Sequence, residues 1–450
     1  MLQPQIFKAN DIRGLVAGDH PEWNDAGAAR LGAAFAAAFE LAGREFLLGR
    51  DMREGGLELS RAFASGAMRL GADVVDLGLA STDQVWYASG ATGLPAVQFT
   101  ASHNPAEYNG VKFCLPHAAP VTPELLERIR ELSSAALPDA AVGGTRRKLD
   151  TLADYAARLH ALVDCTGLRP LTVVVDAGNG MAGHVIPAVL GPLGLDLIGL
   201  HLELDGSFPN HPPNPLEPAN RVDAQRAVLE HGADLALIFD GDADRCLLLD
   251  ERGELIDPSV VTALIARSVL AREPGAAIVV NTVTSAAVGE IVAEAGGRLV
   301  VGPVGHTRLK ALMAEHDAVF GGEHSGHYYF RDFWGADSGM LAALHVLALV
   351  GHGSQPASAL AATVPVYPVS GEINVVVADP AATLTAVAAE FAGDELDWAD
   401  GLAVHGAGWT VSVRSSNTEP LLRLNVEARD DATMVRLRDR ALAIIRGGDR

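Results

Sequence analysis

Residues 233–245 have the sequence ADLALIFDGDADR, in which an apolar run ends in three aspartates at alternate positions, Asp240, Asp242 and Asp244. A short apolar run that stops at a polar, glycine-containing turn predicts a buried β-strand. A comparable strand and glycine-rich turn, LTVVVDAGNG, occupies residues 171–180. Because such strands alternate with helical patterns, as at 222–231, the sequence predicts parallel or mixed sheets covered on both faces.

The same alternation extends over most of the chain and predicts its domain organisation. A length of 450 residues suggests several domains at about 150 residues each. The small-residue, then basic segment PDAAVGGTRRK is typical of a linker, whereas the last 80 residues have the alternation of an antiparallel sheet and a closing helix. We therefore expect three successive α/β domains with mixed sheets and a smaller C-terminal α+β domain around a central cleft. Their expected limits are 1–148, 149–256, 257–366 and 367–450.

Composition narrows the class of protein. Apolar residues make up 49% and charged residues 20%, which indicates a globular chain, and the formal charge of −22 argues against a general nucleic-acid or anionic-membrane surface. Three widely spaced cysteines fit a reducing compartment. The longest stretch without Asp, Glu, Lys or Arg is 338–371. Its apolar part, Met340–Val350, is interrupted by His345, is too short to span a bilayer and predicts a buried helix. We expect a cytoplasmic protein without membrane or nucleic-acid partners.

A serine follows one of the buried strands, in FTASHNPAEYNGVK at residues 99–112. Ser102 precedes His103, Asn104 and Pro105, so the sequence presents its hydroxyl on a turn rather than in a helix. A serine is a poor nucleophile unless a neighbour activates it or it is already phosphorylated. Both a reactive serine and an ordinary turn are compatible with this motif on its own.

The three aspartates after the strand at 233–239 can converge on one hard divalent cation. A calcium-binding EF-hand is an alternative, because Glu251 stands where that loop places its bidentate glutamate. Arg245 at the required glycine position and the strand-like CLLLD that follows argue against it. A phosphatase with an aspartyl nucleophile, or a plain solvated turn, would also be compatible with the three carboxylates.

Two further polar motifs follow predicted strands. FGGEHSGHYYF, at 320–330, places Glu323, Ser325 and His327 near glycine turns, where they suit sugar hydroxyls or a polar hairpin. RSSNTEP, at 414–420, could form a phosphate cradle or an ordinary turn. Its polar side chains are Arg414, Ser415, Ser416, Asn417 and Thr418.

Together and in this order, the motifs resemble those of the α-D-phosphohexomutase superfamily, in particular its phosphomannomutase/phosphoglucomutase branch. The resemblance covers essentially the whole chain. The motifs that carry it are FKANDIRG (7–14), GRDMR (49–53), TASHNP (100–105), VDAGNGMAG (175–183), DGDADR (240–245), VGHTRLK (304–310), GGEHSGH (321–327) and RSSNTEP (414–420).

The resemblance implies a role for each matching residue. Ser102 would be the phosphoserine, and Mg²⁺ would bind it together with Asp240, Asp242 and Asp244. The other residues around the transferring group would be Arg13, His103, Lys112, Arg245 and His306. Sugar contacts would come from Glu323, Ser325 and His327, and the phosphate that is not transferred would be held by Arg414, Ser416, Asn417 and Thr418.

The implied activity is the reversible interconversion of hexose 6-phosphate and hexose 1-phosphate, by a phosphomannomutase that also accepts glucose phosphates. It would proceed through phosphoserine and a hexose 1,6-bisphosphate, in a monomer or weak homodimer. A phosphoglucosamine mutase, a sugar-phosphate phosphatase and a non-catalytic sugar-phosphate sensor are the rival functions. Two departures from the family pattern concern substrate contacts. Asn10 replaces an aromatic residue, and VNTVTS at 280–285 lacks a lysine that some relatives carry.

Overall fold

A computed structural model describes residues 2–415 and 421–447 of the chain. These residues divide into two compact units, one containing the chain up to residue 258 together with 325–361, the other containing 259–324 and the chain from 362 onward. No helix in the described ranges is long and apolar enough to cross a membrane.

The N-terminal part of the first unit is a six-stranded mixed sheet with strand order β1-β5-β4-β2-β3-β6. Its strands are β1 (Ile12–Leu15), β2 (Glu45–Arg50), β3 (Asp73–Leu79), β4 (Ala96–Phe99), β5 (Tyr108–Cys114) and β6 (Arg146–Lys148). The helices are α1 (Asp25–Ala38), α2 (Gly56–Arg69), α3 (Thr82–Thr92) and α4 (Pro123–Ser133). The start of α4 follows from its sequence, because the Thr122 side chain caps the amide of Leu125 and Pro123 occupies the first turn.

The segment predicted as a linker, residues 138–148, is only partly irregular. Its last three residues, Arg146–Lys148, form β6 and pair in parallel with β3 at the edge of the sheet. The prediction was wrong there because an exposed, wholly basic strand carries no apolar periodicity, and edge strands often carry such charges.

A second sheet of the first unit has the order β11-β10-β9-β7-β8. Its strands are β7 (Thr172–Asp176), β8 (Asp196–Leu200), β9 (Leu235–Phe239), β10 (Cys246–Asp250) and β11 (Leu255–Ile256), with helices α5 (Leu152–Leu162), α6 (Ala182–Val189) and α7 (Val222–His231). Strands β7, β8 and β9 are parallel, and β9 and β10 are antiparallel. The turns after β7 and β9 therefore emerge at the same edge of the sheet.

The middle of the chain is shared between the units. In the second unit lie α8 (Pro258–Arg272), α9 (Ala286–Glu294) and α10 (His306–Glu315) around the parallel strands β12 (Ala277–Asn281), β13 (Arg298–Gly302) and β14 (Phe320–Gly322). In the first unit lie the antiparallel pair β15 (Tyr328–Phe330) and β16 (Ala336–Asp337), α11 (Gly339–His352) and α12 (Ala357–Ala361). Most of α11 is buried, as predicted from its apolar run.

The C-terminal part of the second unit is an antiparallel sheet with the order β17-β21-β20-β19-β18 and its own apolar core. Its elements are β17 (Ile373–Val376), α13 (Pro380–Glu390), β18 (Glu395–Asp397), β19 (Leu402–Gly406), β20 (Trp409–Ser415), β21 (Leu421–Ala428) and α14 (Asp431–Gly447). The predicted fold class, three α/β segments and a smaller α+β segment, is confirmed. The limits assigned above to the four domains stay a prediction.

Candidate active site

Ser102 lies three residues beyond the end of β4 and is almost completely buried. Its backbone has a φ of 49°, in the left-handed region, and its amide donates to the Thr100 hydroxyl at 2.8 Å. The Ser102 hydroxyl donates to Asp240 Oδ2 at 2.7 Å. Two turns that are 138 residues apart in the sequence thus bring a serine and a carboxylate into direct contact.

The loop that presents Ser102 is held by Arg53, a residue that was not among those predicted from the sequence. The guanidinium donates to the carbonyl oxygens of Ser102 and Asn104, both at 2.7 Å, and to that of Pro105 at 2.7 Å. Asp51 pairs with Arg53 at 3.3 Å, and both side chains are fully buried. The only signal in the sequence was the GRDMR motif that contains both residues.

Asp240, Asp242 and Asp244 are buried together in the turn after β9. Lys112, on β5, bridges two of them, with its ammonium 2.7 Å from Asp242 Oδ2 and 2.5 Å from Asp244 Oδ2. The Thr82 hydroxyl also donates to Asp242 Oδ2, at 2.5 Å. Lys112 therefore balances the charge of the acidic cluster directly. Its place among the residues around the transferring group stays a prediction.

The pKa values in this cluster follow from burial and from these contacts. Burial raises the pKa of Asp240 to about 7, and the negative charges of Asp242 and Asp244 act in the same direction. Burial alone would also raise the pKa of Asp242, but the charge and hydrogen bond of Lys112 outweigh it and lower that pKa. Burial would lower the pKa of Lys112, yet Asp242 and Asp244 raise it, so the lysine stays charged.

The donor set fits a hard divalent cation. The Oδ1 atoms of Asp242 and Asp244 are buried and have no hydrogen-bond partner among the described residues, and the ligand oxygens of the three aspartates lie within 4.8 Å of one another. Buried acceptors normally have partners, so two unpartnered carboxylate oxygens beside the Ser102 hydroxyl indicate positions for a cation. An all-oxygen set with three carboxylates suits Mg²⁺.

Basic side chains lie around the turn that carries Ser102. Arg245 Nε lies 3.5 Å from Asp240 Oδ2, and an Arg245 amino group donates to His103 Nδ1 at 3.0 Å. The positive charge of Arg245, together with burial, holds the pKa of His103 well below its ordinary value. Arg13, on β1, donates to Asp11 and to the side-chain oxygen of Asn104, at 2.6 and 2.8 Å.

His327 approaches the same cluster from the chain segment 325–361. Its Nδ1 lies 3.1 Å from Asp337 and 3.7 Å from Asp244. Burial and Arg245 would lower the pKa of His327, but Asp244 and Asp337 outweigh them and raise it. Ser325 lies two residues before His327 and is half-buried.

The second unit contains the remaining predicted residues that the structure describes. Glu323 follows β14, is buried, and accepts a hydrogen bond from the Asn281 amide at 2.8 Å. His306 is the first residue of α10 and is half-buried. Within this unit, the negative charge of Glu323 acts to raise the pKa of Arg414.

Arg414 lies on β20 with its guanidinium 3.7 Å from both Glu372 and Asp400. Burial lowers its pKa below the ordinary value, although both carboxylates oppose the shift. Ser416, Asn417 and Thr418 lie outside the described residues. Within this motif the structure describes Arg414 and Ser415, and the phosphate-binding role of Arg414 stays a prediction.

The structure therefore brings a large share of the predicted set together within the first unit. That set is Arg13, Ser102, His103, Lys112, Asp240, Asp242, Asp244, Arg245 and His327. Arg53, Thr82 and Asp337 contact members of the set and were not predicted. Arg53 lies in the GRDMR motif, whereas no local pattern marks Thr82 or Asp337 as a neighbour of the site, and only the fold reveals the contacts of all three.

Known proteins are similar to this chain over nearly its whole length. Models of the phosphoglucomutase/phosphomannomutase family match α/β/α domain I at residues 4–137, domain II at 153–253, domain III at 257–367 and the C-terminal domain at 372–444. A phosphomannomutase of Salmonella typhimurium is 38% identical over 98% of this chain and 99% of its own length. A protein of Xanthomonas campestris described as phosphohexose mutases is 39% identical, over 98% of this chain and 99% of its own.

A solved structure of the same family also matches this chain over its whole length. The crystal structure of a phosphoglucomutase/phosphomannomutase family protein from Burkholderia thailandensis matches with a TM-score of 0.91 at 32% identity, covering 100% of this chain and 99% of that one. Relatives more than 30% identical over nearly their full length, and all four domain models in order, establish membership. The chain belongs to the phosphoglucomutase/phosphomannomutase family of the α-D-phosphohexomutase superfamily.

Proposed function

We propose that the protein is a phosphomannomutase that also accepts glucose phosphates, an isomerase that interconverts hexose 6-phosphate and hexose 1-phosphate. The observation that carries this proposal is the contact of 2.7 Å between the Ser102 hydroxyl and Asp240, at the edge of a buried carboxylate cluster with unpartnered oxygens. The names of the full-length relatives support the same reaction.

In the proposed reaction, phospho-Ser102 gives its phosphoryl group to the free hydroxyl of the sugar phosphate. The Oγ–P bond breaks, a P–O bond to the sugar forms, the sugar hydroxyl loses a proton and the serine oxygen regains one. The product of this half-reaction is a hexose 1,6-bisphosphate. It turns around and returns its other phosphate to Ser102, which makes the overall conversion reversible.

The residues near Ser102 would supply positioning and charge, on which phosphoryl transfer chiefly depends. Asp240, Asp242 and Asp244 would hold Mg²⁺, which when bound supplies positive charge to the oxygens of the transferring group. Arg245, 3.5 Å from Asp240, would add positive charge there. Lys112 is poorly suited to accept the sugar proton, because two carboxylates keep it charged. Arg13 and His306 remain candidates for that role, with His103 beside the serine.

Substrate binding would draw on the other polar residues. We infer that Glu323, Ser325 and His327 contact sugar hydroxyls and that Arg414 binds the phosphate that is not transferred, with Ser416, Asn417 and Thr418. Hexose 1,6-bisphosphate would serve as intermediate and activator. A monomer or weak homodimer stays our prediction for the oligomeric state.

An interconversion assay tests the proposal. Purified protein with Mg²⁺ and a trace of glucose 1,6-bisphosphate should convert mannose 1-phosphate to mannose 6-phosphate, and Ser102→Ala should not. Steady release of inorganic phosphate without isomer formation would instead identify a phosphatase. Sugar-phosphate binding with no turnover would identify a sensor.

Phosphopeptide mapping tests the role of the serine separately. After incubation with glucose 1,6-bisphosphate, we expect one phosphate on Ser102. A label on an aspartate of the 240–244 turn would contradict the phosphoserine mechanism and favour an aspartyl phosphatase.

A further inference from the structure

A second group of metal-binding side chains lies in the first unit, outside the cluster around Ser102. Asp176 is the last residue of β7, His201 follows the end of β8, and His211 lies in the proline-rich loop that continues from it. One donor atom from each residue lies within 4.8 Å of the other two. None of the three has a part in the proposed phosphoryl transfer.

Both ring nitrogens of His211 face oxygen atoms that accept hydrogen bonds. His211 Nδ1 is 2.9 Å from the carbonyl oxygen of Pro212, which can only accept, so Nδ1 carries a proton. The other ring nitrogen, Nε2, lies 3.1 Å from Asp176 Oδ2. In the neutral ring that nitrogen has a lone pair directed at a carboxylate, so a proton or a cation must lie between them.

Neighbouring groups hold Asp176 and His211 in positions that suit this contact. Asp176 is fully buried, and its Oδ1 accepts from the amide of Gly178 at 2.9 Å, which leaves Oδ2 for His211. Burial would lower the pKa of His211, but the hydrogen bond and charge of Asp176 outweigh it and raise that pKa. A metal-binding histidine commonly donates its other N–H to a carbonyl oxygen, as His211 does to Pro212.

His201 is the third member of the group. Its ring packs edge-on against that of His211, with centroids 5.2 Å apart. His201 Nε2 is buried and has no hydrogen-bond partner among the described residues, although Asp223 Oδ2 lies 3.4 Å away. Buried polar atoms normally have partners, so a ring nitrogen without one, beside a second imidazole and two carboxylates, is typical of a metal ligand.

The spacing and the donor types favour zinc over magnesium. Donors about 2.0–2.2 Å from a tetrahedral Zn²⁺ stand roughly 3.3–3.6 Å from one another. His211 Nε2 lies 3.1 Å from Asp176 Oδ2, and His201 Nε2 lies 3.4 Å from Asp223 Oδ2. Both distances are close to that donor–donor separation. Two imidazoles with carboxylates suit Zn²⁺, whereas Mg²⁺ prefers oxygen donors alone. We propose that Asp176, His201 and His211 bind Zn²⁺, with Asp223, which lies 3.4 Å from His201 Nε2, as a fourth donor.

Such a site would fasten a loop that supports the phosphoserine turn. Phe208 lies between His201 and His211 in sequence, and the Arg53 guanidinium stacks over its ring at 4.9 Å from the centroid. Arg53 in turn holds the carbonyl oxygens of Ser102 and Asn104. A cation at the base of the loop would therefore limit movement of Arg53, and through it of Ser102. Its role is structural, and it needs no contact with substrate.

The test measures zinc on the full-length protein while Mg²⁺ occupies the carboxylate cluster. Protein stripped with a chelator is titrated with Zn²⁺ in excess Mg²⁺, and bound zinc is measured by elemental mass spectrometry and by competition with a chromogenic chelator. We expect one tightly bound Zn²⁺ per chain in the wild type and in Asp242→Asn. His201→Gln and His211→Gln should each weaken binding more than about 100-fold, since changes even beyond the ligands cost roughly 10–100-fold.

A matched control is His231→Gln, which changes an exposed histidine at the end of α7 in the same segment and should leave zinc binding unchanged. Co²⁺ added to the wild type should give the intense visible absorption of a tetrahedral site, a readout that needs no variant to fold. Zinc lost in Asp242→Asn but kept in His201→Gln would overturn the proposal in favour of the carboxylate cluster. No retained zinc in the wild type would also overturn it, leaving a protonated His211 paired with Asp176.

Discussion

Replacing Lys112 with methionine should destabilise the Mg²⁺-free protein strongly, and Mg²⁺ should reverse much of that loss. The Lys112 ammonium is 2.7 Å from Asp242 and 2.5 Å from Asp244, and all three residues are buried. Methionine keeps most of the side-chain volume and removes the charge. Two carboxylates would then be buried without the cation that neutralises them.

The size of the effect follows from this geometry. Removing one partner of a buried ion pair costs about 3–5 kcal/mol, because the other charge stays buried and unpaired. The first unit has about 295 residues. At about 2.1 cal/mol/K of unfolding entropy per residue, each kcal/mol shifts its melting temperature by about 1.6 °C. The transition of the first unit should therefore fall by about 5–8 °C in the absence of Mg²⁺. A divalent cation on the free oxygens of Asp242 and Asp244 should restore much of this loss.

Differential scanning calorimetry with and without Mg²⁺ measures both effects. Lys112→Arg, which keeps the charge, should melt near the wild type, and Lys148→Met removes an exposed lysine as a matched control. Mg²⁺ should raise the melting temperature of Lys112→Met more than that of the wild type. Melting of Lys112→Met within about 1.5 °C of the wild type without Mg²⁺, a loss of no more than about 1 kcal/mol on this scale, would refute the reasoning.

Three further predictions concern the site and its surroundings. Asp242→Asn should nearly abolish turnover while the circular dichroism spectrum stays unchanged, because one ligand charge is lost; full activity of the wild type after exhaustive chelation would contradict the metal requirement. Burial raises the pKa of Asp83 from 3.8 to about 6, although Ser338, Ser81 and Tyr155 donate hydrogen bonds to it. Between these two pH values the folded state binds more protons than the unfolded state. The stability of the folded state should therefore fall as the pH rises from about 4 to 6. Asp83→Asn should remove that part of the pH dependence in urea unfolding, and an equal slope in both proteins would be evidence against it. Mannose and glucose 1-phosphates should differ in kcat/KM by only about 10- to 100-fold, because no dedicated partner for the 2-hydroxyl is evident among the described residues, with glucosamine 1-phosphate poorer than both; a faster glucosamine phosphate would overturn the substrate assignment.

Local sequence predicts the elements of this protein well where apolar periodicity is strong. The strand at 235–239 and the helix at 222–231 have the bounds that the pattern indicates. That Ser102 and Asp240 each lie at the ligand-binding edge of a sheet also follows from general rules, since ligands bind beyond the carboxyl ends of parallel strands. The motif order then points to the family. Residues that follow strands were therefore accessible to sequence reasoning.

Contacts made by residues outside the turns after strands could not be predicted from the sequence in the same way. Lys112 was predicted from the resemblance, but its contacts with Asp242 and Asp244 were not. It lies within β5, a strand whose sequence YNGVKFC has a weak pattern, and these partners are 130 and 132 residues away. Arg53 serves the Ser102 loop through backbone carbonyls, which carry no sequence signature. Such contacts depend on how the two sheets pack, and a single sequence does not encode that packing in any local pattern.

The fixed charges around Ser102 explain why metal binding and phosphorylation of the serine should depend on each other. Asp240, Asp242 and Asp244 are opposed by Lys112 and Arg245, so the buried cluster has more acidic than basic groups before any ligand arrives. A phosphoryl group on Ser102 would add about two further negative charges at neutral pH. In a buried site that charge needs a cation of matching size and hardness, and the unpartnered oxygens of Asp242 and Asp244 are available to hold one. Because the coupling between two ligands is reciprocal, whatever Mg²⁺ contributes to phospho-Ser102 the phosphoserine must contribute to Mg²⁺ affinity. The dephosphorylated enzyme should therefore release Mg²⁺ more readily than the phosphorylated one.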